Sequence, residues 1–342
     1  MPNREVPFFK EYLLPKASAN KIVSIPIHLT VDTSKIPKLG DEIMNHLKET
    51  SKDSWYSGEG FLLHPDASNP LAVDWIFLLD VLNYSFWSTK PKYEVEYKGK
   101  SYTGYFALCA AIRRAMEAGK IEPTLTSLNK LSDEEIKVVF EGKSNVEIPL
   151  LRERINSIRI ETRALDEKFM GTFTTCLREA KGSAMKLLQI VVDNFETFRD
   201  VGEYGGEKIS FYKRAQILIA DICLCFKSQG IGKLDDWNEL SAFADYRVPQ
   251  VLNFFGVISY DAELERMIKN EVLIENGNLV EMEIRGFTIY ACELIKDYIN
   301  TKYGPDSCNS VNVDNFLWEF RRSKATEIDD HVGMHRTRCI YY

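Results

Sequence analysis

Apolar positions in the second half of the chain recur at helical spacing. Phe211, Ala215, Leu218, Ile219, Ile222 and Phe226 fall at i, i+4, i+7, i+8, i+11 and i+15, one face of a long helix. Ile155, Ile158, Leu165 and Phe169 mark a second helix, and Ala184, Leu187, Leu188 and Val191 a third. Residues 289–299 predict another, and residues 316–320 a short last one. The first half is mixed. Residues 22–27 read as an extended segment or a packed loop. From Pro70 the aromatic density rises, and residues 73–79 and 83–87 read as buried elements. Residues 93–97 alternate, Lys98-Gly99-Lys100 supplies a turn, and Ser101-Tyr102 continues, which predicts a small β-hairpin. Residues 105–118 follow as a helix with Leu108, Ala111, Ile112 and Ala115 on one face. Residues 119–150, rich in Lys, Glu, Ser and Thr, read as a linker. The pattern predicts a mainly α fold with a small β-hairpin element. It divides as an N-terminal mixed α/β lobe over residues 1–150 and a C-terminal helical lobe over 151–342, or forms one continuous domain.

Composition narrows the class. With 342 residues, 45% hydrophobic and 27% charged, the chain has ordinary globular composition and ample length for a core. A net charge of −7 argues against a broad polyanion-binding surface, so no stable nucleic-acid partner is expected; a local basic pocket for one phosphate stays compatible. The most apolar run, residues 215–226, contains Asp221 and is too short to span a bilayer. Residues 1–12 have no apolar stretch, so no signal peptide and no membrane partner are expected, and the expected location is cytoplasm or nucleus. Seven cysteines in a chain of this length suggest reduced, buried thiols. Cys223 and Cys225 are followed by no second pair, and His28, His46, His64, His331 and His335 complete no zinc pattern, so no metal is expected. Glycine-rich phosphate and dinucleotide loops and a G-x-S-x-G elbow are missing from the sequence.

The richest stretch is Phe243-Ala244-Asp245-Tyr246-Arg247-Val248-Pro249-Gln250. Pro249 suits a first helical turn, Val251, Leu252, Phe254 and Phe255 give an apolar face, and Gly256 suits the C-terminus. Asp245 then lies at the positive end of a short helix, where its ionised form is favoured. It reads either as a helix cap or as an anion, flanked by Phe243, Tyr246 and Arg247, that could stabilise a cationic sugar. Lys213 and Arg214 lie in the first turn of the 211–226 candidate helix, against its dipole, so they call for a partner: an anionic ligand, or Asp221, seven residues from Arg214 on the same face. Asp314 and Glu319 flank Trp318, a set suited to a cationic flat ligand or, more simply, to a cap and a solvated Glu. His64 follows an apolar run and reads as a surface or satisfied histidine. The aromatic residues 338–342 read as a docked tail.

Several of these stretches together resemble the queuosine salvage protein family, the queuosine 5′-phosphate N-glycosylases. They are residues 243–250, 210–216, 83–87, 102–111, Glu283-Ile284-Arg285-Gly286 and 338–342, in the family's order, and the resemblance covers about residues 65–342. It implies a fold akin to the helical DNA glycosylases. The implied reaction is hydrolysis of the N-glycosidic bond of queuosine 5′-phosphate, releasing queuine for salvage into tRNA modification, with no metal or organic cofactor. By the same resemblance, Asp245 is expected at the position of the catalytic carboxylate. Phe243, Asp314, Trp318 and Glu319 match positions expected to line the base pocket, and His64 aligns with another. The family often has Asp where this chain has Glu319, which reaches one methylene further.

That chemistry suits the residue types. Queuine is a 7-deazaguanine, so the N7 protonation that helps an ordinary purine depart is unavailable. More of the barrier must then be lowered on the sugar side, where a fixed anion in a water-poor pocket can act. Asp245 could stabilise the charge, orient water or attack covalently. Asp314 and Glu319 could meet the secondary ammonium and diol of queuine, Phe243 or Trp318 could stack on the base, and Lys213 or Arg214 could take the 5′-phosphate. The alternatives are a non-catalytic carrier of queuine or its nucleotide and a glycosylase acting on DNA or tRNA itself, which the charge disfavours.

Overall fold

The computed structural model describes residues 7–50, 63–88 and 91–342. Met1–Val6 and Leu62, which the sequence reading touches, lie outside these. Fifteen α-helices dominate the described residues, with three two-stranded antiparallel sheets. The mainly α expectation therefore holds, with two sheets more than the pattern predicted.

The predicted hairpin forms from Glu94–Tyr97 and Lys100–Thr103. Lys98 and Gly99 both take positive φ, the twist a two-residue hairpin turn requires. A second hairpin, Val201–Tyr204 with Glu207–Ser210, turns on Gly205 and Gly206 in the same way. The third sheet is long-range: Leu29–Val31 pairs with Ile258–Tyr260.

The apolar side chains form two large clusters, and residue 150 does not separate them. One gathers the Ala72–Val81, Tyr105–Glu117, Leu151–Phe169, Ala184–Asn194 and Lys213–Cys225 helices. The other joins the N-terminal helices Pro15–Val23 and Ile36–Glu49 to the 25-residue helix Leu279–Tyr303. One sequence motif makes that union. Glu283 accepts the backbone N–H groups of Ile27, His28 and Leu29 at 2.8–3.0 Å, and Gly286 lets Ile22 approach where a Cβ would sit 2.6 Å from its side chain.

The linker reading of residues 119–150 fails. Leu125–Asn129 and Asp133–Val139 are short helices, the second opened by a Ser132–Glu135 capping box, and Leu125, Leu128, Ile136, Val139, Phe140 and Ile148 are buried. Helices this short carry too few periodic positions to stand out from a polar background. All seven cysteines are unpaired thiols in buried positions. No described helix is long and apolar enough to cross a membrane, and no three described His, Cys, Asp or Glu side chains group as metal ligands.

Candidate active site

A cavity of about 1050 Å³ opens where the two clusters meet. Lys213, Phe243, Asp245, Tyr246, Arg247, Asp314 and Trp318 all line it, so seven of the ten residues singled out in the sequence converge.

Asp245 lies in an irregular stretch just before the Val248–Phe254 helix. Its Oδ1 accepts the N–H of Arg247 at 2.7 Å and of Val248 at 2.9 Å. The cap expected of it is thus real, and among the described residues it uses only one carboxylate oxygen. Being a cap and being an anion at a cavity are therefore compatible. Pro249 falls in the first turn, and Gly256 follows the helix at φ 71°.

Asp314 is on the Ser310–Ser323 helix, opposite. Its Oδ1 accepts the N–H of Phe243 at 2.8 Å, tying the helix to the Asp245 loop. Burial raises its carboxyl well above the usual range, and the nearby charge of Asp245 adds to this. Both effects favour the neutral form of Asp314, while the N–H of Phe243 and the charge of Lys213 act the other way. Lys213, the first residue of the Lys213–Cys225 helix, is lowered by burial, with the carboxylates of Asp245 and Asp80 acting in opposition. Trp318 stands edge-on to Phe106, with the Arg322 guanidinium 5.2 Å from its ring.

Three residues lie elsewhere. Glu319 sits one position past Trp318, off the stripe of 314 and 318, and meets His46 at 3.6 Å. Arg214 is buried and donates to the carbonyl oxygens of Asp80 (3.0 Å), Val81 (2.6 Å) and Thr197 rather than to Asp221, which lines the cavity. His64 is buried between Trp75, whose indole N–H reaches its Nδ1 at 3.1 Å, and Tyr105; burial lowers it to about 3, so it is neutral.

Residues 83–87 form the opposite wall, with Asn83, Tyr84, Phe86 and Trp87 at the cavity. Ser85 has φ 40°, and its N–H donates to the carbonyl of Tyr342 at 2.8 Å, so the docked tail fixes this loop. Arg321 and Arg322 also line the cavity. Sequence reasoning missed both, although they continue the 314/318 stripe at i+7 and i+8.

Residues 63–342 match the family described as queuosine salvage protein. The chain is 36% identical to the mouse queuosine 5′-phosphate N-glycosylase/hydrolase, across 96% of this chain and 99% of the relative. The chain belongs to the queuosine salvage protein family. A Schizosaccharomyces pombe member of the same name is 37% identical, across 82% of this chain and 86% of its own. One from the bacterium Sphaerobacter thermophilus is 36% identical over 82% and 84%.

Proposed function

We propose that this chain hydrolyses the N-glycosidic bond of queuosine 5′-phosphate, releasing queuine and ribose 5-phosphate. The observation that carries the reading is near full-length likeness to relatives of that name in a chain that places a buried carboxylate, Asp245, at its large cavity.

The reaction breaks the bond between the anomeric carbon and the base nitrogen, and the electron pair leaves with the base. Positive charge grows on the sugar. Asp245, held by two backbone N–H groups through Oδ1, offers its other oxygen to that charge in a cavity walled by Phe243, Tyr246 and Trp318. A fixed anion needs no reorganisation as the charge appears, which is where its rate advantage lies. Water then bonds to the anomeric carbon and loses a proton, and the departed base gains one.

Asp314 is the partner for the secondary ammonium of queuine. Burial and the neighbouring Asp245 carboxylate both disfavour a second negative charge there. A cationic substrate group placed beside it acts in the opposite direction and favours the carboxylate that forms the pair. Trp318 and Phe243 stack on the base. Arg214 drops out of the phosphate reading because carbonyl oxygens occupy it; Lys213 and Arg247, which do line the cavity, take the 5′-phosphate. The soluble, non-membrane setting expected from the sequence suits a small nucleotide substrate.

The test is queuine release from queuosine 5′-phosphate by the wild-type chain and by Asp245→Asn. Release by the first, and its loss with binding retained in the second, is the expected result. Tight binding without release by either overturns the enzyme reading in favour of a carrier.

A further inference from the structure

Behind the cavity lies a buried charged cluster, and its charged members Arg285, Asp200 and Glu281 do not line the cavity. Arg285 projects from the Leu279–Tyr303 helix and clamps Asp200 with both ends of its guanidinium, Nη1 to Oδ1 at 2.9 Å and Nη2 to Oδ2 at 2.5 Å. Both side chains are less than 5% exposed. The guanidinium is also sandwiched between rings, 4.0 Å from Phe211 and 4.3 Å from Tyr342. Glu281, one turn away at 3.4 Å, accepts the Tyr342 phenol at 2.7 Å.

Beyond the pair and the Arg285 contact with Glu281, each partner makes one further side-chain hydrogen bond, and both go to the backbone of the site. Asp200 Oδ2 accepts the N–H of Lys213 at 3.1 Å. Arg285 Nε donates to the carbonyl of Ala244, the residue before Asp245, at 3.1 Å. The Asp200 carbonyl further accepts the N–H groups of Phe211 (3.0 Å) and Tyr212 (3.3 Å), the latter in the left-handed region at φ 47°. One planar pair thus runs from the backbone of Lys213 to the backbone beside Asp245.

Stability does not explain such an arrangement. Burying two charges costs about as much as their attraction returns, and an apolar replacement is often neutral or better. A guanidinium fork locked to a carboxylate does supply fixed geometry, since its donors are coplanar and set in direction. Neither Asp200 nor Arg285 lines the cavity, so neither can touch a substrate there.

We propose that the Arg285–Asp200 pair is a positioning device that holds Lys213 and Asp245 at their working separation across the cavity. This rests on the reading of Asp245 as the anion that acts on the sugar. A displacement of about 1 Å in such a group costs on the order of 100-fold in rate. The pair therefore acts on kcat through the geometry of the charged groups, while the aromatic walls that bind the base stay in place.

The experiment measures kcat and KM for queuosine 5′-phosphate with Asp200→Asn, Asp200→Glu and Arg285→Lys, all in the full chain. Wild type and Asp245→Asn run alongside. Asp74→Asn serves as the control for a buried carboxylate: Asp74 accepts the N–H of Phe173 at 2.7 Å and the hydroxyl of Thr172, away from the cavity. Assays are run well below the lowest melting midpoint. The expected result is a kcat lower by about 10–100-fold with KM within about threefold for the pair variants, and unchanged kcat in the control despite its lower midpoint. In the Asp245→Asn background, Asp200→Asn costs less than about threefold, because the group it positions is gone. Wild-type kcat in the folded pair variants, an additive loss in the double variant, or failure of all three to fold overturns the proposal. Should wild type release no queuine, or Asp245→Asn stay active, the underlying reading fails instead, and the two failures are distinguishable.

Discussion

Arg154 and Arg285 are both fully buried, and each braces one wall of the cavity, yet they are satisfied differently. Arg154 gives its donors to neutral acceptors: the carbonyl oxygens of Leu82, Tyr84 (2.5 Å) and Pro149 (2.9 Å), with the Tyr84 ring 4.4 Å away. Arg214 beside it does the same for Asp80 and Val81. Arg285 is locked to the Asp200 carboxylate, also meets Glu281, and gives Nε to the carbonyl of Ala244. The electrostatics follow. Burial lowers Arg154 and Arg214, whereas for Arg285 burial is outweighed by Asp200 and Glu281 and the group is raised. The wall of residues 83–87 contributes aromatic shape and needs only a fixed backbone. The wall of residues 243–247 contributes a charge and needs that charge held against its surroundings.

The largest expected effect breaks the second wall at its purpose. Asp245→Asn removes the anion and keeps the size, so kcat falls by about 10³-fold while substrate binding survives, as single-turnover and binding assays will read. The next effect falls on the first wall and is of another kind. Arg154→Met strands the carbonyl acceptors of Leu82, Tyr84 and Pro149, and costs about 3 kcal/mol in denaturant unfolding. If the folded fraction of that variant keeps its kcat, the contrast between the walls stands; if its kcat falls like that of a pair variant, the two walls are not distinct.

A third prediction sharpens the contrast through pH. Burial pushes Glu161, which accepts the N–H of Thr197 behind Arg214, up to about 7 from its usual 4.5. Below about pH 4 the folded and unfolded chains both hold this proton, and it has no effect on stability. Between about pH 4.5 and 7 the unfolded chain gives it up while the fold keeps it, so stability falls as pH rises and the loss is complete above 7. The whole change is about 3 kcal/mol. Asp80, which burial also raises to about 7, adds a slope of the same sign. Glu161→Gln removes its share, and denaturant midpoints across this range will flatten accordingly.

The sequence was most readable where periodicity and local chemistry agreed. The Lys213–Cys225 helix, the first hairpin and the cap role of Asp245 all follow from spacing. The Leu151–Phe169 helix was found too, but its buried face carries Arg154, Ser157 and Glu161, polar residues that an apolar count assigns to solvent. Arg214 misled for a related reason. Its charge suggested an anionic partner, and its actual partners are carbonyl oxygens supplied by residues 80, 81 and 197, which no local pattern encodes. The Arg285–Asp200 pair spans 85 positions and was invisible as a pair, although Glu283-Ile284-Arg285-Gly286 was marked as a motif.

The Ser310–Ser323 helix offers the smallest and cleanest test, because two neighbouring residues that the sequence grouped together lie on different faces. Trp318 faces the cavity and Glu319 turns to His46. Trp318→Ala removes a stacking surface and raises KM by about tenfold, an effect of roughly 1.4 kcal/mol, with kcat little changed. Glu319→Gln weakens a partly exposed ion pair with His46, a contact of under about 1 kcal/mol, and leaves both KM and kcat within about twofold of wild type. Side chains one residue apart on a helix point about 100° from each other, so a ligand gripped by the 314/318 face is out of reach of 319. A tenfold rise in KM with Glu319→Gln would mean that substrate draws this carboxylate away from His46, and the line between the cavity wall and the outer face of this helix would have to be redrawn.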